Sequence, residues 1–191
     1  EEIERIQVSP EPLAKRTVEG VLGVYVNMPN IVEVLGKDNL REELQIDIDK
    51  VMAEYKAIPK NPDEIKFVER LTLEAVIKAV ERHAGKIRYV YGPSGRNTLA
   101  EGKDLSQVKY IIGTGGALTR LPNRVDIMKH IARHNDSGLL LFPNTDAQIL
   151  VENDYIMASL GVLSKRHEKA AMKLLAKSLG IEMPEKKRSE Q

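Results

Sequence analysis

The segment Tyr110-Ile111-Ile112-Gly113-Thr114-Gly115-Gly116-Ala117-Leu118 constrains this chain more than any other. The apolar run from Val108 to Ile112 is rich in β-branched residues and reads as a short strand. It runs straight into a glycine-rich turn that opens a helix. Glycines allow positive φ and close approach of backbone to a ligand. The first residues of a helix offer unpaired N–H groups and the positive end of a dipole. Two readings stay open: a site for a nucleotide or another anionic, planar ligand, or a tight strand-to-helix connection. The pattern is not a Gly-x-x-x-x-Gly-Lys phosphate loop. Leu118 stands where the dinucleotide fingerprint needs its third glycine.

The rest of the chain fits an α/β layer around that unit. The strongest helix follows Asn61, a good N-cap, with Pro62 in the first turn and Asp63 and Glu64 at the positive dipole end. Ile65, Val68, Leu71, Thr72, Ala75, Val76, Ala79 and Val80 recur on one face, and Gly85 is a natural stop. Strands are expected at residues 87–91, 108–112, 139–142 and 147–151. Turns are expected at Gly92-Pro93-Ser94-Gly95 and at Asp136-Ser137-Gly138. Further helices are expected at 17–26, 125–134, from Asp154 through Leu163, and 165–179, with a helical or mixed segment at 38–57. Met28-Pro29-Asn30 reads as a break, and 31–35 as a short apolar turn ending at Gly36. After the turn at 92–95 the chain is expected to return at 98–102, and residues 92–102 also read as a polar hairpin loop, either an ordinary exposed loop or a contact surface for a partner.

Charge and residue content exclude several classes. Lys plus Arg is 29 and Asp plus Glu is 28, so the basic excess of a nucleic-acid binder is lacking. With no cysteine, disulfides, thiolate metal sites and cysteine nucleophiles are excluded. The longest aliphatic and aromatic stretch, Leu139 to Phe142, is far below the roughly 20 residues that span a bilayer. The acidic start Glu1-Glu2-Ile3-Glu4 is unlike a signal peptide, so the expected location is the cytoplasm. Ile3, Ile6 and Val8 are too few to begin a core, as expected of a chain that starts inside a larger protein.

Three stretches carry a family resemblance. One is Gly102-Lys103-Asp104-Leu105-Ser106-Gln107-Val108-Lys109 with Ile111 through Pro122. The second is Pro10-Glu11-Pro12 with Lys15-Arg16-Thr17-Val18-Glu19-Gly20. The third runs from Asn153-Asp154-Tyr155 to Ser164. Together they resemble the glutamate mutase L family over essentially the whole chain. That resemblance implies an α/β fold, the second lobe of an actin-like (ribonuclease H-like) ATPase with a helical insertion. It implies an accessory, reactivating ATPase for an adenosylcobalamin-dependent mutase of the methylaspartate mutase type, using ATP or ADP with Mg. The implied division is 1–36 as the start of the lobe, 37–85 as a helical subdomain, 86–184 as the α/β portion and 185–191 as a disordered tail.

The resemblance points to Gly113, Thr114, Gly115 and Gly116 as adenosine contacts. It sets Arg120 beside the adenine, where a guanidinium plane can stack, although a solvated surface role is equally open. Thr17, Glu19 and Gly20 resemble the segment after the second phosphate loop, where Glu19 would approach the metal–nucleotide or cap a helix. The phosphate loops and Mg ligands are expected upstream of Glu1, so the fragment alone should not hydrolyse ATP. Ala158 and Gly161 are expected on a helix at the hinge between lobes. Rival readings are a nucleotide-independent interaction module and the lobe of a small-molecule kinase. Nucleic acid and membrane are not expected partners, and oligomerisation stays open. Asp126, His130 and His134 share a helix face that could hold a divalent metal, or are ordinary exposed side chains.

Overall fold

A computed structural model describes residues 2–9, 11–135 and 138–182. The expected turn at Asp136 and Ser137 and the expected tail at 185–191 lie outside the described residues. The architecture is mixed α/β, with helices and two small sheets.

The chain begins with α1 (Glu2–Ile6). No helix covers 17–26. A single 3-10 turn, Gly20–Leu22, forms instead. Glycines at 20 and 23 raise the cost of a longer helix there. The expected break at Met28-Pro29 is corrected, because α2 (Met28–Leu35) starts there. Proline in a first turn removes an N–H that has no intrahelical partner anyway. Gly36, at φ 81°, ends α2 and leads into α3 (Lys37–Leu44). The 38–57 segment is two helices, separated by Gln45 at φ 55°. Asp47 caps α4 (Ile48–Glu54) by accepting from Lys50 N.

The helix α5 (Pro62–His83) is the spine. Asn61 Oδ1 accepts from Glu64 N at 2.9 Å, and Glu64 reaches back to Lys60 N at 2.7 Å. The first bond satisfies an N–H that the helix itself leaves open, and the second ties the residue before the cap to the first turn. Phe67, Val68 and Leu71 are fully buried against Ile31, Leu40 and Ile48 of the preceding helices. Burying a side chain such as Phe67 contributes roughly 2–3 kcal/mol.

Beyond α5, β1 (Lys86–Gly92) and β2 (Gly95–Glu101) form an antiparallel hairpin closed by Pro93-Ser94. The expected return at 98–102 thus forms as part of β2, and the loop expected over 92–102 is mostly strand. Gly85 owes its identity to close packing rather than to a left-handed cap. A Cβ there would lie 2.6 Å from the Glu101 carbonyl oxygen.

The second sheet pairs β3 (Tyr110–Gly113) in parallel with β4 (Gln148–Val151). The crossover carries α6 (Gly116–Arg120) and α7 (Arg124–Arg133). The strand expected at 139–142 does not form. Leu140 makes one isolated bridge to Lys86, while Leu141 donates to Gly85 O at 2.8 Å. That run clips the hairpin base instead of joining a sheet.

Last comes α8 (Met157–Leu179), broken by non-helical angles at His167. A straight helix would set Ser178 roughly 30 Å from Met157. Yet Asn153 N donates to Ser178 O at 2.9 Å, and four residues of chain reach at most about 14 Å. The two halves therefore fold back on one another at His167, close to the two helices expected from sequence. Asp154 does not cap the first half. The buried Glu152 carboxylate does, accepting from Ile156 N and Met157 N.

Candidate functional site

The glycine turn of 113–116 divides into positions with different duties. A Cβ on Gly113 would meet the Met128 sulfur at 3.2 Å and Leu118 at 3.3 Å, so this residue faces the packing between β3, α6 and α7. Gly115 stands at φ 107°, which an L side chain rarely adopts. Gly116 has neither constraint, and nothing lies within 4 Å of a Cβ built on Gly115 or Gly116. The turn therefore opens onto free space on one side only. Thr114 is exposed, but its hydroxyl is committed as a donor to Glu152. Glu152 is 0% exposed. Its carboxylate joins the glycine turn, the end of β4 and the first turn of α8 in one buried network.

The open side meets a cavity of about 170 Å³. Gly116, Ala117, Arg120 and Leu121 line it together with Val24, Tyr25 and Tyr55. The cavity is a seam between the helical segment and the α/β portion. Arg120 is exposed, and among the described residues no carboxylate pairs with it. Tyr55 donates its hydroxyl to Val24 O at 2.9 Å. Burial, then the neighbouring Tyr25 and Glu64, push the Tyr55 phenol up to about 12. It stays neutral, as a phenol in a half-apolar wall should. Because α6 is only five residues long, its dipole is small. The one charged group in the cavity's lining is the Arg120 guanidinium.

Thr17 and Glu19 are elsewhere. Thr17 Oγ1 lies 2.7 Å from His83 Nδ1, and Glu19 pairs with Arg82. Both partners belong to the last turn of α5, whereas Val68 lines the seam. Along α5 the separation is roughly 21 Å. Gly20 opens the 3-10 turn and accepts from Asn27 Nδ2 at 2.6 Å. The structure thus brings Gly116 and Arg120 to one cavity, packs Gly113 inward, ties the Thr114 hydroxyl to Glu152, and keeps Thr17 and Glu19 apart from them.

Asp126, His130 and His134 do not converge. Asp126 pairs with Lys129 at 3.0 Å, and His134 Nε2 lies 3.0 Å from Glu81 on α5. Among the described residues no group of acidic or histidine side chains is arranged to hold a metal ion. A wider groove of about 290 Å³ runs past Asp47, Glu54, Asp63 and Glu64, and its carboxylates would repel a phosphate. Among the described residues no helix is long and apolar enough to cross a membrane.

Tyr25 and Tyr55 escaped the sequence reading as site residues. They are 30 positions apart, so only the fold brings them together. The one available signal was rarity, since with six Tyr, two Phe and no Trp each ring carries weight.

A family model described as "MutL protein" matches residues 1–179. Over 176 residues the chain is 34% identical to "Protein MutL" of Clostridium tetanomorphum, covering 88% of this chain. The chain spans 38% of that relative's length. No solved structure matches it.

Proposed function

This chain belongs to the MutL protein family, and on that footing we propose that it is the adenosine-holding lobe of an actin-like ATPase. The ATPase would serve an adenosylcobalamin-dependent mutase of the methylaspartate mutase type as a reactivating factor. The observation that carries this reading is the open face of Gly116 in the lining of a cavity shared with Arg120, with the open Gly115 beside it in the turn. Open glycines on a strand-to-helix turn let a sugar or ring approach the backbone closely. The Arg120 guanidinium, which pairs with no carboxylate among the described residues, is available to lie on a purine.

ATP with Mg, when bound, would supply the free energy of phosphoryl transfer. This chain's part is to seat the nucleoside. The reading assigns the phosphate loops and the Mg ligands to the portion of the longer relative that this chain does not match. The fragment alone should therefore bind nucleotide weakly and not hydrolyse it. Nucleotide state would then move this lobe against its counterpart, and that motion would act on the mutase.

Gly116→Val is the informative variant. Gly116 is not held at positive φ and has empty space where its side chain would go. Valine there should leave the fold intact and fill the mouth of the cavity. Calorimetric titration of Mg–ATP should show binding by the parent and a loss of at least tenfold in the variant. Equal binding by a folded variant would remove the glycine turn from the site.

A second reading, a nucleotide-independent interaction module, is favoured by one observation. The β1–β2 hairpin exposes Tyr89, Val90 and Tyr91, with Tyr91 76% exposed. The Arg96 guanidinium lies 4.7 Å from the Tyr89 ring centre. Tyrosine and arginine are the residues that dominate binding energy at protein interfaces. This reading expects mutase binding that nucleotide does not change.

A further inference from the structure

We propose that the seam cavity is a stacking site whose aromatic wall, Tyr25 and Tyr55, holds a purine ring without reading its edge. The proposal rests on the adenosine reading above and goes further by fixing how the base is recognised.

The wall is rigid by construction. Phe67 is 0% exposed in the core of α5. Tyr55 packs edge-on to Phe67 with ring centres 6.1 Å apart, and Tyr25 packs edge-on to Tyr55 at 5.4 Å. The bond from the Tyr55 hydroxyl to Val24 O ties the two rings' backbone segments together. An aromatic ladder thus leads from the core to the half-exposed Tyr25 at the cavity. A platform held in place by its own packing loses little freedom when a ring lands on it. Arg120, also in the lining, offers a second planar group.

The cavity's chemistry sets the selectivity. Its side chains are aliphatic or aromatic except for the two phenols and the Arg120 guanidinium, and no carboxylate or carboxamide lines it. The Tyr55 proton is already committed to Val24. Adenine and guanine differ at their hydrogen-bonding edges. A site discriminates strongly between such edges only when its own buried polar groups would be left unpaired by the wrong one. Nothing in the side-chain lining is arranged that way, so stacking must supply most of the hold. Stacking is tolerant of base identity.

The test is a titration of the isotopically labelled chain with AMP and then GMP, followed by NMR, which detects even millimolar binding. The expected result is movement of the Gly116, Tyr25 and Tyr55 resonances, with dissociation constants for AMP and GMP within about tenfold. Tyr25→Leu should weaken AMP by about tenfold or more, while Tyr25→Phe keeps parent affinity. The conservative variant separates lost stacking from lost structure. If AMP moves the 115–120 resonances but Tyr25→Leu binds as well as the parent, the stacking wall is wrong and the adenosine reading survives. GMP more than tenfold weaker than AMP likewise overturns permissive recognition alone. No movement with either nucleotide overturns both.

Discussion

Tyr55 shows how far a single residue can be interpreted from its surroundings. In the sequence it reads as one more apolar position after Val51 and Met52. In the fold its ring bridges Phe67 and Tyr25 while its hydroxyl is tied to Val24 O. Burial favours the neutral phenol and raises its pKa from 10.0 to about 12. The folded state therefore holds the proton more tightly than the unfolded state does. Stability from this group is complete below pH 10.0 and is lost as pH rises toward about 12. Melting temperature followed from pH 8 upward should fall beyond about 10, the ordinary tyrosine value. Tyr55→Phe should flatten that fall while costing about 1 kcal/mol at neutral pH, the usual worth of one hydrogen bond. An unchanged alkaline slope in the variant would show that other groups govern it. Glu152 makes the complementary point. Its residue type does not predict a helix cap, and the Asp154 beside it looks better suited. Glu152 wins because the end of β4 buries it against the first N–H groups of α8. That is a tertiary fact with no local signature.

At the scale of elements, legibility follows how local the determinants are. The Asn61 cap and the apolar face of α5 lie within one stretch of chain, and Val68, Leu71, Thr72 and Ala75 are buried as expected, although the fully buried Phe67 lies outside the expected face. The strand expected at 139–142 fails because strand pairing is a choice of neighbour. Leu139 and Leu141 engage the hairpin base in place of a sheet edge. The fold-back of α8 likewise depends on a distant clasp. Asn153 donates from its backbone and its amide to Ser178 O, and its Oδ1 accepts from Arg124 at 2.7 Å. Asp154 N donates to the Ser178 hydroxyl at 3.2 Å. One side chain thus ties the start of α7 to the end of α8. Asn153→Ala removes two of these bonds and should release the second half of α8 while leaving the core formed. Hydrogen exchange should show residues 168–179 losing roughly tenfold or more of their protection, with α5 unaffected, as expected for a local opening unit. Equal loss across both helices would mean that the clasp belongs to the global unfolding unit.

For the molecule as a whole, the core and the exposed features separate cleanly. The buried apolar cluster draws on α2 to α5, then α6, α7 and β4, with α5 at its centre. The share of α5 is readable from helical periodicity, whereas that of α2 is not, since residues 28–35 read as a break and a turn. The glycine turn is readable from composition, but its partner wall is not, because Tyr25 and Tyr55 come from a part of the chain that lacks a motif. The hairpin lies outside this core, with both faces exposed from Arg88 to Asn97. An isolated hairpin of this kind adds little to global stability, so its exposed tyrosines need another explanation. Replacing residues 89–98 by Asn-Gly would join Arg88 to its register partner Leu99 through a two-residue turn. Ala100 and the contacts of Ile87 with Leu139 would remain. The melting temperature should stay within about 4 °C of the parent, the shift expected for roughly 1 kcal/mol in a chain of this size. AMP titration should be unchanged, because the hairpin contributes nothing to the seam cavity. Binding of the shortened chain to purified methylaspartate mutase, measured with and without Mg–ATP, then divides the two readings of the protein. Loss of binding in both conditions makes the hairpin a docking arm independent of nucleotide. Retained binding that responds to Mg–ATP leaves the hairpin out of the contact and favours a lobe whose position carries the signal.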